Sequence, residues 1–185
     1  ASYLRSQEND FVTEVYDANL SGETWISSDG RQYLGDKPAE IRKRINDFQP
    51  DVVGISNMFT WQIDQALLIA RLCKEISQNI ITVIGGPHVS SFPLESIREK
   101  DIDYVVMGEG EIRFNELIND LALGKQPKIQ GVIHGEADLN LLKPSKRSPI
   151  SFIPQLDELP IPAYDLVDVE RYFDLQTKGM SSRPR

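Results

Sequence analysis

The 185-residue sequence predicts an α/β fold, in which helices cover both faces of a doubly wound parallel sheet. Three short apolar runs, at 51–56, 80–86 and 102–108, are each followed by a segment with helical features. Apolar strands of this kind are typical of parallel sheets, because helices bury both of their faces. A weaker run at 129–135 predicts a further strand.

The other elements follow from the spacing of apolar residues and from the positions of glycine and proline. A β-prone run with Val12 and Val15 predicts a strand that ends at Asp17. Residues 21–35 are rich in Gly, Ser and Asp and predict a loop. Helices are predicted from Pro38 to Pro50, over 60–77, around 94–100, and over 111–123, where Gly124 ends the helix.

The composition changes in the last third of the chain. Five prolines lie between Lys143 and Pro162, which is too many for a packed strand–helix unit. We therefore expect a wound domain over 1–142 and a proline-rich linker arm over 143–185 that leads to another domain.

Charge and composition exclude several classes of partner. The net charge is −8 and no basic stripe is present, which argues against nucleic acid. No apolar run approaches the roughly 18 residues of a membrane span, and no signal peptide opens the chain. We therefore expect a cytoplasmic protein without a membrane partner. The single Cys73, expected to be buried, excludes a disulfide framework and a multi-cysteine metal site built by this chain alone.

Ligands of wound α/β domains bind at the carboxyl ends of the strands. Here the segments that follow the predicted strands are mostly small or polar, as a broad ligand lying across the edge of the sheet requires. No side chain in them is a nucleophile beside an oriented base, so we expect binding and no catalytic residue. These segments are Asp17–Gly22, Ser56–Thr60, Gly85–Ser91 and Gly108–Glu111.

Two of these segments are glycine-rich. Gly85 and Gly86 end a buried strand, where the absence of side chains lets a flat group approach the backbone, although an ordinary tight turn would also use them. Gly108 and Gly110 expose backbone N–H groups at the start of a predicted helix. Because Glu109 lies between them and opposes an anion, we expect amides or hydroxyls as the ligand groups there.

Three segments, GGPHVSSFPLE, DYVVMGEGE and LDELPIPAYDLVDVERY, resemble in order and spacing the amino-terminal half of cobalamin-dependent radical-SAM enzymes. The resemblance covers about residues 50–175 and implies a Rossmann-like or flavodoxin-like cobalamin-binding domain. It further implies that cobalamin is held base-off, with its nucleotide tail between the strands that end at Ser56 and Gly86.

The resemblance also assigns individual residues. Asp17, Asn19 and Gly22 have the spacing of the Asp-x-His-x-x-Gly motif of cobalamin domains, with Asn19 in the position of the cobalt-ligating histidine. Asparagine is a poor cobalt ligand, and taken alone the segment also fits an Asx turn. Ser56 matches the serine that hydrogen-bonds the dimethylbenzimidazole, and Met58 stands in the position of the family's leucine. Further contacts with the cofactor are expected from Phe59, Thr60, Gly85, Gly86, His88, Gly108, Glu109 and Gly110.

His88 is expected to have a structural or tail-contact role rather than to ligate cobalt, since the family has a non-ligating histidine in this stretch.

For the parent protein, the resemblance implies a radical-SAM domain after Arg185, with a [4Fe-4S] cluster and S-adenosylmethionine. The reaction would be methyl transfer or radical chemistry, including the cyclisation of magnesium-protoporphyrin monomethyl ester. We expect the chain to be inactive alone and further residues to precede Ala1. The alternative is a flavodoxin-like or receiver-like signalling module without cobalamin. Asn57 argues against a receiver, because it stands where a phosphorylatable aspartate would be.

Overall fold

A computed structural model describes residues 1–28, 30–135, 138, 153 and 155–173. The described part of Ala1–Ile41 and Leu159–Arg185 forms one compact unit, and that of Arg42–Glu158 forms a second. The predicted linker arm over 143–185 lies partly outside the described residues. Its described part contains two short 3-10 turns, Leu156–Glu158 and Tyr164–Leu166.

The second unit contains a four-stranded sheet, in which the strands lie side by side in the order in which they occur in the chain. Strands β3 (Val52–Ser56), β4 (Ile81–Gly85) and β5 (Tyr104–Val106) are parallel, which confirms the prediction for these three runs. The fourth run forms only β6 (Val132–Ile133), which is antiparallel to β5. A turn closed by the bond from Val132 N to Ile129 O reverses the chain just before β6.

Helices alternate with these strands, as the apolar spacing predicts. They are α2 (Pro38–Phe48), α3 (Ile63–Ile76, after a 3-10 turn at Thr60–Gln62), α4 (Pro87–Ser91), α5 (Pro93–Ile97) and α6 (Gly110–Ala122). Helix α4 was not predicted, since the expected short helix was placed after it. Of the helices in the described residues, none is long and apolar enough to cross a bilayer.

Alternate residues of the strands fill two cores, one on each face of the sheet. The first core packs the sheet against α3, and the second packs it against α6, so helices cover both faces. The first contains Ile55, Ala66, Ala70, Ile84 and Val105. The second contains Val83, Tyr104, Val106 and Leu117. This arrangement confirms the doubly wound α/β class.

Cys73 of α3 is fully buried, as expected, and this burial raises the pKa of its thiol to about 11.

The first unit contains α1 (Ser2–Ser6) and an antiparallel hairpin of β1 (Thr24–Ile26) and β2 (Gln32–Leu34). The hairpin lies in a segment for which the sequence predicted only a loop. Trp25 and Tyr33 are opposite each other in it, and their rings stack with centroids 4.6 Å apart. Such cross-strand aromatic pairs stabilise a hairpin that has only three residues in each strand.

The prediction of a strand that ends at Asp17 is wrong. Residues 11–17 have no regular secondary structure, and Val12 is 84% exposed. A strand is stabilised by exchanging backbone hydrogen bonds with a neighbour, and no strand of the described residues pairs with this segment.

Candidate functional site

The carboxyl ends of β3 and β4 lie side by side, as the sequence predicts. Ser56 pairs in register with Gly85. The next residue of the first strand, Asn57, donates its backbone N–H to the carbonyl of Gly85 across 2.8 Å. The serine and the glycine pair assigned to the cofactor tail are therefore immediate neighbours.

Gly86 has a backbone conformation that only glycine adopts readily, with φ 111° and ψ 176°. A Cβ atom at this position would lie 2.4 Å from the backbone oxygen of Asn57. Gly85 differs, because a Cβ there would lie 3.3 Å from the oxygen of Val106 and its φ is not positive. Gly86 thus lets the backbones that follow β3 and β4 pack directly against each other, in a space that a side chain cannot enter.

Ser90 connects the loops that follow β4 and β5. Its hydroxyl donates to the carbonyl of Gly86 (2.9 Å) and accepts the N–H of Gly108 (2.8 Å). In the sequence, Ser90 was visible only as part of the segment Gly85–Ser91, and no individual contact was predicted for it. Its position four residues after Gly86, on the first turn of a helix, is the signal that could have found it.

His88 connects the loops that follow β3 and β4. It is buried, and its Nδ1 lies 3.1 Å from the hydroxyl of Thr60. The imidazole also packs against the ring of Phe92, with the two ring centroids 5.1 Å apart. These contacts give His88 a positioning role between the two loops.

Arg113 holds the loop after β5 and was also missed from the sequence. It is buried in α6, and its Nη1 donates to the carbonyls of Met107 (3.2 Å) and Glu109 (2.9 Å). Its Nε donates to Gln130 O at 2.9 Å. The guanidinium is thereby used to fix the backbone on both sides of Gly108.

Glu109 accepts the N–H of Ile153 at 2.5 Å, so its carboxylate also has a backbone partner. Gly110 has no atom within 4 Å of a Cβ position, so packing does not require a glycine there.

The loop after β3 exposes apolar side chains beside this hydrogen-bonded frame. Met58, Phe59 and Trp61 are 55%, 56% and 70% exposed. The rings of Phe59 and Trp61 stack with centroids 6.2 Å apart. An exposed aromatic and thioether surface at the carboxyl edge of a sheet is suited to a large, flat, partly apolar ligand.

Asn57 carries the most unusual atom of the site. The residue is 1% exposed, and its Nδ2 donates to the carbonyl of Phe59 at 3.1 Å. Its Oδ1 is buried and has no hydrogen-bond partner among the residues that the structure describes. Buried amide oxygens are normally paired, so this acceptor is available to a donor that is not part of the described chain.

Asp17, Asn19 and Gly22 lie in the first unit. Asp17 accepts the N–H of Asn19 through Oδ1 at 2.9 Å, which is an Asx turn. Its Oδ2 accepts the hydroxyl of Tyr172 at 2.5 Å, and this bond raises the pKa of Tyr172 to about 12. Asn19 and Gly22 are exposed. Both oxygens of the motif carboxylate are therefore occupied by the chain itself.

The chemistry offered by these side chains is binding. Hydroxyls, amides and backbone groups predominate, and the buried cation, Arg113, is bonded to three carbonyls. Within the described residues, no three His, Cys, Asp or Glu side chains lie close enough to hold a metal ion.

Comparison with known protein families agrees with this description. The family described as "B12 binding domain" matches residues 13–118, which is more than half of the chain. The match includes all four segments that the sequence assigned to the ligand.

Individual relatives are methyltransferases and a cyclase. The chain is 39% identical over 136 residues to an uncharacterized methyltransferase of Pyrococcus horikoshii, covering 72% of this chain and 28% of that protein. It is 35% identical over 71 residues to the cobalamin-dependent radical SAM methyltransferase TokK of Streptomyces tokunonensis, covering 38% and 10%. It is 26% identical over 138 residues to the anaerobic magnesium-protoporphyrin IX monomethyl ester cyclase of Rubrivivax gelatinosus, covering 72% and 24%. The chain thus spans less than a third of the length of these relatives.

Proposed function

This chain belongs to the B12-binding domain family, and we propose that it holds cobalamin base-off, with the nucleotide tail entering between the ends of β3 and β4. The observation that carries the proposal is that Ser56 and Gly85 end neighbouring strands in register, next to the exposed apolar side chains of Met58 and Phe59. This edge of the sheet offers hydrogen-bonding groups and an apolar surface together, as a large, flat, partly apolar ligand requires.

The residues present are suited to this cofactor. The base of the tail would lie near Ser56 and Gly85, which are neighbours in register. The apolar surface of Met58 and Phe59 would contact the corrin, whose amide side chains need hydrogen-bond partners such as the groups after β5. His88 would position Thr60 through the bond between its Nδ1 and that hydroxyl, and its imidazole also packs against the ring of Phe92.

Bound cobalamin supplies a cobalt centre that can accept and donate a methyl group. The side chains of this chain would bind it, orient it and limit the access of water to the tail.

We also propose that the parent protein is a radical-SAM enzyme. In it, residues 1–142 would form the cobalamin domain, and 143–185 would lead to a domain with a [4Fe-4S] cluster and S-adenosylmethionine. The name of the cobalamin-dependent radical SAM methyltransferase TokK supports this. The parent reaction would be methyl transfer or, as the name of the magnesium-protoporphyrin ester cyclase suggests, a cyclisation. The name of the Pyrococcus relative favours methyl transfer.

The proposal is tested with hydroxocobalamin and the full-length protein, by desalting and visible spectroscopy. We expect the wild type to retain the cofactor with a base-off spectrum. The Asn19→His variant should shift the spectrum towards His-on, because imidazole nitrogen ligates cobalt and a carboxamide does so poorly.

The Asn79→His variant is the matched control, since Asn79 is an exposed residue before β4, at the amino end of that strand. It should give the wild-type spectrum. Passage of cobalamin through the column with folded wild-type protein would refute the proposal.

A further inference from the structure

The orphaned Oδ1 of Asn57 lies where a ligand of the sheet edge would bind. Three buried side-chain polar atoms lack a partner among the described residues: Trp25 Nε1, Asn57 Oδ1 and Asn115 Oδ1. Trp25 belongs to the hairpin of the first unit, and Asn115 lies more than one turn into α6. Asn57 alone of the three follows a strand of the parallel sheet, at its carboxyl end.

The neighbourhood of Asn57 connects it to the residues that end β4. Its backbone N–H is bonded to Gly85 O, and its backbone oxygen is the atom that a Cβ of Gly86 would meet. The side chain is fixed by the Nδ2 bond to Phe59 O, which leaves Oδ1 as an oriented acceptor. Met58 and Phe59 are more than half exposed, so the chain reaches the surface directly after Asn57.

We infer that Asn57 Oδ1 accepts a hydrogen bond from the nucleotide tail of bound cobalamin. The inference rests on the proposed function, because it concerns the same site. The tail offers two kinds of donor, a ribose hydroxyl and the amide N–H of the arm that joins the phosphate to the corrin. Either donor satisfies an acceptor that is otherwise buried without a partner. Asn57 would thus contribute to the selection of a corrinoid with a complete tail.

The experiment compares two ligands, hydroxocobalamin and cobinamide, which is the corrinoid without the nucleotide tail. Dissociation constants are measured on the full-length wild-type protein and on the Asn57→Leu variant, whose side chain is of similar size. We expect the affinity for cobalamin to fall about tenfold more than the affinity for cobinamide, as for the loss of one hydrogen bond to a buried group. Any effect of the lost bond to Phe59 O is common to both ligands, because both contain the corrin. The matched control, Asn115→Leu, removes a second orphaned amide oxygen and should leave both affinities unchanged.

The comparison separates ligand contact from a purely structural role. If Asn57 only fixes the loop through Phe59, the substitution will weaken both ligands equally, and that result would overturn the inference. Unchanged affinity for both ligands would overturn it as well. If the wild type binds neither ligand, the proposed function itself fails.

A second variant keeps the test open if Asn57→Leu does not fold. Asn57→Asp retains an acceptor oxygen and loses the donor to Phe59 O. We expect it to keep the preference for cobalamin over cobinamide within about threefold of the wild type, which is less than the loss of one hydrogen bond. Loss of that preference in a folded Asn57→Asp protein would also contradict the inference.

Discussion

At the scale of single residues, adjacent glycines have different roles. Gly85 is part of β4, and a Cβ at this position would require neighbours to move by only a few tenths of an ångström. Gly86 has a backbone conformation that is almost restricted to glycine, and it contacts backbone atoms, which do not move aside easily. The requirement for glycine at position 86 is therefore one of folding.

We predict that Gly86→Ala lowers the free energy of unfolding by about 2 to 3 kcal/mol, from backbone strain and the clash with Asn57. Urea denaturation measures this. The matched control is Gly110→Ala at the start of α6, where no atom lies within 4 Å of the added methyl. It should leave stability unchanged or raise it by up to about 1 kcal/mol. Equal effects of the two substitutions would show that the Gly86 conformation is not strained for alanine.

At the scale of elements, a polar cluster joins α3 to the amino ends of β4 and β5. Lys74 Nζ donates to Asp103 Oδ2 at 2.6 Å and to Ile80 O at 2.7 Å. The same carboxylate oxygen accepts the backbone N–H of Thr82 at 2.7 Å and its hydroxyl at 3.0 Å. One carboxylate thus holds a helix and two strands at the end of the sheet opposite the site.

We predict that Asp103→Ala lowers the free energy of unfolding by about 2 to 3 kcal/mol, because it leaves the Lys74 ammonium buried without its counter-ion. The measurement is again urea denaturation. The double variant Lys74→Met/Asp103→Ala should recover part of this loss, since the uncompensated charge is removed too. If the losses of unfolding free energy of Lys74→Met and Asp103→Ala simply add in the double variant, the two side chains are not coupled.

The elements also show what the sequence can predict. Apolar runs identify β3, β4 and β5, because helices cover both faces of these strands and their sequences are therefore continuously apolar. The first predicted strand fails because its stability depends on a partner strand, and the apolar character of Val12 carries no information about one. The hairpin is missed because its stabilising contact, between Trp25 and Tyr33, is a pair across a turn.

Only part of the candidate site can be predicted from the sequence. Glycines and small residues after strands are visible in the sequence, because the fold class fixes where strands end. Ser90 and Asn57 lie within the predicted segments, but their contacts, like those of Arg113, cannot be predicted from the sequence. Ser90 and Arg113 bond to the backbone, and Asn57 Oδ1 has no donor among the described residues, and all of this depends on the geometry of the loops.

At the scale of the whole molecule, the beginning of the chain is bonded to its later part. Asp17 and Tyr172 are 155 residues apart in the sequence, and Arg5 forms an ion pair with Asp165 at 2.8 Å. These four residues belong to the first compact unit. The loop with Asp17 is thereby attached to the segment that we propose leads to the next domain.

We predict that Tyr172 ionises at a higher pH than an ordinary tyrosine does. Its pKa is raised from 10.0 to about 12, first by its bond to Asp17, then by desolvation and by the negative charge of that carboxylate. The folded state therefore holds the phenolic proton more tightly than the unfolded state. Its contribution to stability is complete below pH 10 and is lost as the pH rises through about 12.

The measurement is the tyrosinate absorbance of the wild type minus that of Tyr172→Phe during a pH titration. Asp17→Asn should lower the midpoint of the difference towards 10. A midpoint near 10 in the wild type would contradict the prediction.

The sequence has one cysteine, and the buried Cys73 thiol with its pKa of about 11 is almost wholly protonated at neutral pH. Thiol-reactive dyes and spin labels react with the thiolate of accessible cysteines and will therefore not label Cys73 while the chain is folded. A cysteine introduced at an exposed position of this 185-residue chain, such as Lys125, becomes its only labelling site without any prior removal of the natural one. This part of the protein is thus already a background-free template for fluorescence or electron-spin distance measurements in solution.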